Sequence, residues 1–94
     1  MFVLQIEHAV PSYDRWKETF DDDPIHRKES GVRRHRISRP SNDSNYVIVD
    51  LEFDDVLKAE TTLAALHELW RHVQGRIMVD PQTRIVEVVE SKEY

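Results

Sequence analysis

Asn45–Asp55 reads N-Y-V-I-V-D-L-E-F-D-D, and its alternation decides the fold. Successive side chains of a β-strand point to opposite faces, so Val47, Val49, Leu51 and Phe53 share one side while Tyr46, Ile48, Asp50 and Glu52 share the other. The first side is a core face. The second carries two carboxylates among large residues, so neighbouring strands must supply cations, donors or a cover.

The segment before it offers such neighbours. Val32–Arg39 (V-R-R-H-R-I-S-R) reads as a strand, and Pro40–Asn45 (P-S-N-D-S-N) is turn chemistry throughout. A hairpin closed by that six-residue loop places Arg33 opposite Glu52, His35 opposite Asp50 and Ile37 opposite Ile48. Opposite charges across a ladder favour this register by ~0.2 to 1 kcal/mol per pair. A slip of one residue would move each strand's set to the other face.

Working outward, Phe2–Val10 alternates as well, with Phe2, Leu4, Ile6, His8 and Val10 on one side. Ser12 is an expected N-cap, and Tyr13, Trp16 and Phe20 then recur at helical spacing. Asp21, Asp22, Asp23 and Pro24 interrupt that helix, because proline has no amide to donate. A second short helix is expected from Pro24 to Ser30, stopped by Gly31. Beyond the central strand, Asp54 or Asp55 caps a long helix whose stripe is Val56, Ala59, Leu63, Leu66, Trp70 and Val73, with Gly75 as its stop. Arg76–Gln82 reads as a connection ended by Pro81, and Thr83–Glu90 as a final strand.

The order strand, helix, strand, strand, helix, strand fits an α+β, ferredoxin-like split βαβ fold over residues 1–94: a four-stranded antiparallel sheet with both helices on one face. The expected sheet order is fourth, first, third, second strand. Its other face, with Val3, Gln5, Glu7, Tyr46, Ile48, Asp50 and Glu52, is too apolar for water and too charged for an ordinary core. A second copy packed sheet to sheet would cover it, so a homodimer is expected.

Composition narrows the function classes. The 94 residues suit one domain, and the absence of cysteine excludes disulfides and thiolate metal sites. No apolar run approaches the ~20 residues of a membrane span, and Met1–Val10 lacks the features of a signal peptide, so a cytoplasmic protein without a membrane partner is expected. The formal charge is −5. Arg33, Arg34, Arg36 and Arg39 form the one basic run, but strand alternation splits it between two faces and no aromatics interleave, so a charged edge strand explains it better than nucleic-acid binding.

The run H-A-V-P-S-Y-D-R-W-K-E-T-F-D from His8 to Asp21, followed by Arg27, Gly31, the Asn-Asp-Ser-Asn turn and V-I-V-D-L-E-F-D-D, resembles small proteins of the dimeric α+β barrel superfamily. That group includes antibiotic-biosynthesis monooxygenase-like proteins and polyketide cyclases. The resemblance implies chemistry without a metal or organic cofactor, in a cavity between sheet and helices or at the dimer seam.

The residues suggest who would act there. His8 lies on the helix side, within reach of Trp16, and a neutral imidazole in a pocket can take or deliver a proton near pH 7. His35 oriented by Asp50 is a second polar pair, set against the plainer reading of an ion-pair ladder that fixes register. Tyr46 could donate to an enolate or phenolate, Trp16 and Trp70 would form pocket walls, and His67, bordering the long helical stripe, would rim the cavity. No metal site is expected: His67 and His72 are five apart, no H-E-x-x-H occurs, His26 stands alone, and Asp21–Asp23 reads as a solvated turn. The expected function is cofactor-independent proton transfer on a small hydrophobic, aromatic or polyketide-like ligand, by a monooxygenase, cyclase or isomerase. The alternative is a non-catalytic homodimeric barrel that binds a ligand or is purely structural.

Overall fold

A computed structural model of the protein describes residues 1–73 and 76–94. The elements are β1 (Phe2–Ala9), α1 (Tyr13–Asp21), α2 (Arg27–Ser30), β2 (Arg34–Ser38), β3 (Tyr46–Phe53), α3 (Val56–Val73) and β4 (Val79–Glu87). The four strands form one antiparallel sheet in the order β2-β3-β1-β4, the ferredoxin-like arrangement expected from the element order. β1 and β3 are therefore the central strands. Their register places Leu4 opposite Leu51, Ile6 opposite Val49 and His8 opposite Val47.

One face of this sheet is the core. Leu4, Val47 and Phe53 are fully buried, with Ile6, Val49 and Leu51 nearly so. Trp16 of α1 and Ala59, Leu66 and Trp70 of α3 close over them, which is how the two helical stripes reach the core. Ser12 caps α1 by accepting a hydrogen bond from the Arg15 amide, and Asp55 accepts from the Leu57 amide at the start of α3. The helical stripe from Val56 to Val73 matches α3 at both ends. The expected stop at Gly75 lies outside the described residues.

The hairpin register differs from the expectation by one residue. Arg34, not Arg33, lies opposite Glu52; His35 faces Leu51, Arg36 faces Asp50 and Ile37 faces Val49. The cause is burial. In this register Ile37 joins the core face, where it packs against the buried cluster, whereas the charge-matched register would turn it to the opposite face. Burying an isoleucine side chain contributes about 1.5–3 kcal/mol, more than the ~0.2 to 1 kcal/mol of a cross-strand ion pair. Charge pairing is kept in altered form, with Arg34 and Glu52 4.0 Å apart.

Two other boundaries move. Pro24 does not open a helix: α2 begins at Arg27, after a turn in which Asp23 (φ 54°) and His26 (φ 52°) are left-handed and the Asp23 carboxylate accepts the Arg27 amide at 2.9 Å. β4 starts at Val79 and ends at Glu87 instead of spanning Thr83–Glu90. Pro81 is tolerated inside it because β4 is an edge strand pairing only with β1, and left-handed Asp80 coincides with a register shift between Glu7 and Ala9.

Phe53→Ala should remove about 3–5 kcal/mol of stability, since Phe53 is fully buried beneath the helices. Urea denaturation of the two proteins measures it, and a loss under ~1 kcal/mol would contradict this packing.

Candidate functional site

The space between sheet and helices is not completely filled. A cavity of about 180 Å3 has Ile6, Val49 and Leu51 as its floor, Trp16 and Phe20 of α1 on one side, and Leu66, Leu69 and Trp70 of α3 on the other. Four polar side chains besides the indoles reach its lining: His8, Thr19, Asp22 and Arg27. A dry cavity of roughly 150 Å3 takes benzene, while pockets for drug-sized ligands run from ~300 Å3 upward. One ring fits, and a fused polyketide does not unless the walls part.

His8 is the chemically distinct member. It is 2% exposed, in a row that is otherwise apolar, because it occupies the last inward position of β1. Its ring stands edge-on to Trp16 at 5.9 Å between centroids. Nδ1 lies 3.0 Å from the Ala9 carbonyl. A carbonyl only accepts, so Nδ1 carries the proton and the neutral ring keeps its lone pair on Nε2. Nε2 has no hydrogen-bond partner among the described residues. Burial lowers the pKa below the ordinary 6.5, opposed in part by the Ala9 hydrogen bond, so the ring is neutral at pH 7 and able to accept a proton.

Of the residues expected beside His8, Trp16 and Trp70 do line the cavity. His67 does not: it is exposed on α3, edge-on to Trp70 at 5.7 Å but on the side away from the lining. His35 and Asp50 are not a pair. The slipped register turns His35 to the helix side, where its ring meets Phe20 at 5.1 Å, and leaves Asp50 on the opposite face. Tyr46 is also on that opposite face, donating to Glu7 at 2.9 Å. Its pKa is raised, first by desolvation and then by Glu7 through hydrogen bond and charge.

Other contributors were not expected. Phe20 is legible only as part of the α1 stripe. Arg27 belongs to the pattern that carries the family resemblance, yet nothing in its spacing shows that its guanidinium lies over the Phe20 ring at 3.9 Å and donates to the Phe20 carbonyl at 2.8 Å. Among the described residues there is no group of three side chains placed to hold a metal ion, and no helix is long and apolar enough to cross a membrane.

No protein-family model matches the chain, and no curated protein matches it in sequence. Solved structures share its fold. A dimeric ferredoxin-like protein from an uncultured marine organism aligns over 100% of both chains with a TM-score of 0.66 and 12% identity. SnoaB, a cofactor-independent oxygenase from Streptomyces nogalater, aligns over 96% of this chain and 94% of its own with a TM-score of 0.74 and 11% identity. A MhuD variant with two manganese protoporphyrin IX molecules bound per active site aligns over 100% of both chains with a TM-score of 0.62 and 13% identity. One architecture thus serves different chemistries. The chain has the ferredoxin-like α+β fold of these solved structures.

The lowered pKa makes stability depend on acid in a set direction. The unfolded chain binds a proton at His8 near pH 6.5 and the folded chain only at lower pH, so this contribution is complete above 6.5 and is lost as pH falls from 6.5 toward the folded value. Thermal melts of the protein and His8→Gln between pH 7.5 and 5.5 should show the wild type losing more stability across that range. Parallel curves would contradict the desolvated state of His8.

Proposed function

We propose that the protein is a homodimeric, cofactor-independent enzyme that moves a proton on a small ring-bearing substrate, with His8 as the base. One observation carries the reading: a neutral imidazole, fixed in the Nδ1–H form by the Ala9 carbonyl, lines an apolar cavity with the volume for one ring. Nε2 would take a proton from carbon next to a carbonyl or from an enol, and return it at a second atom of the substrate. Substrate atoms and electrons then balance with nothing added, as an isomerisation or cyclisation. A monooxygenase would use the same carbanion and require dioxygen as co-reactant, a substrate methylene becoming a carbonyl with one oxygen atom while the other leaves as water with the two hydrogens. A positioned histidine supplies ~10²–10⁴-fold in such a step.

The second reading, a binding module with the same cavity, is supported by the small number of polar groups in its lining. Solvent exchange separates the two. In D2O the protein should accelerate deuterium uptake at the acidic carbon of phenylacetone, followed by NMR, and His8→Gln should lose at least 100-fold of the enzymatic rate. An acidic limb in the pH profile should fall below 6.5, because burial lowers the His8 pKa. Exchange no faster than in buffer, or unchanged in His8→Gln, would leave only the binding module.

Dimerisation is supported by the open sheet face. Ile48, Val3 and Tyr46 are half-buried there, and Asp50 Oδ1 is covered yet has no hydrogen-bond partner among the described residues. A facing subunit would cover these apolar groups and remove them from water. Sedimentation equilibrium at micromolar concentration should give twice the chain mass, and Ile48→Arg should give a folded monomer. A wild-type monomer throughout would contradict the dimer.

A further inference from the structure

A second concavity adjoins the cavity. It is an open cleft of about 750 Å3 between α2, the start of β2 and the N-terminal part of α3, and Arg27 belongs to the lining of both. Phe20 lies between the two spaces, walling the apolar cavity while its ring meets His35, a member of the cleft.

The cleft is cationic on a chain whose formal charge is −5. Arg27, Lys28, Arg33, Arg34 and Lys58 line it, against three carboxylates. Those carboxylates do not neutralise the cations evenly. Asp23 holds Arg27 at 3.4 Å, with the guanidinium side chain only 16% exposed, so Arg27 is a fixed wall more than a free charge. Arg33 and Asp54 are 3.5 Å apart with both side chains 67% exposed, a pair that water screens. Arg34 lies 4.0 Å from Glu52, its partner across the ladder, whereas Lys28, Lys58 and the carboxylate of Glu29 make no ion pair with a described residue, leaving two cations against one anion. Positive potential therefore remains in a concave site, where field lines concentrate.

The position of Lys58 has a local cause. Gly31 ends α2 at φ 101°, and a Cβ built there would lie 2.7 Å from the Lys58 Cδ. The missing side chain at Gly31 lets the Lys58 stem cross it.

We propose that the cleft binds the anionic group of the same ligand whose ring enters the cavity, so that the substrate class is a small aromatic acid: one ring joined by a short chain to a carboxylate. The inference rests on the reading of the cavity as a ligand site. In it, the apolar cavity takes the ring, and Lys28 and Lys58 attract the carboxylate by long-range charge, Arg27 standing between the two sites as a positioning residue. Recognition by two separated features also explains how a cavity with so few polar groups selects its ligand, since orientation comes from the charged end.

The probes are phenylacetate, 3-phenylpropionate and 4-phenylbutyrate, each beside its neutral amide. Trp16 and Trp70 line the cavity and are nearly buried, so their fluorescence reports its filling. At least one acid should bind tenfold more tightly than its amide at low ionic strength, and the advantage should shrink in 0.5 M salt. In the double variant Lys58→Ala, Lys28→Ala the advantage should fall at least threefold while amide affinity stays within twofold; both residues are exposed, so the fold is retained. Equal affinity for acids and amides, or an advantage that survives in the double variant, overturns the cleft assignment and leaves the cavity reading intact. Failure of every probe to bind overturns both.

Discussion

The antiparallel pairing of β1 with β3 fixes where each reactive side chain lies. These central strands share one inward row, in which Leu4, Ile6 and His8 face Leu51, Val49 and Val47. Five of those six residues are aliphatic, so the row must be covered by helices to leave water, and α1 and α3 do this with their tryptophan-bearing stripes. The sixth, His8, is carried inside by strand alternation alone. Its burial is thus enforced by the hydrophobic pairing of its neighbours, and it bears the desolvation as a lowered pKa.

Desolvation and one hydrogen bond together define what His8 can do. The first removes the proton at neutral pH; the second selects the nitrogen that keeps one, through the Ala9 carbonyl at 3.0 Å. His67 also stands edge-on to a tryptophan, but it is exposed on α3 and outside the cavity lining. The helices that desolvate His8 also stop short of filling the space beside it, which leaves the cavity walled by Trp16, Phe20 and Trp70.

Much of this is legible in the chain. The alternation of Tyr46–Phe53 and the stripe from Val56 to Val73 are periodic signals long enough to fix elements, faces and sheet order, and the inward position of His8 follows from Leu4 and Ile6. The β2 register is not. Charge matching and the burial of Ile37 point to registers one residue apart, and the stronger stabilisation, burial, prevails, which separates His35 from Asp50. The role of Arg27 is also hidden, because it depends on the left-handed turn through Asp23 and His26 that swings α2 back over Phe20. Such turns are chosen by tertiary contact, and Pro24 points to a different helix start.

Histidine side-chain nitrogen NMR observes the state of the His8 ring directly. At pH 7 the His8 signals should show a neutral imidazole with the proton on Nδ1 and a bare Nε2, and titration should give a pKa below 6.5. A proton on Nε2, or a ring already charged at pH 7, would contradict the account of His8 as the base.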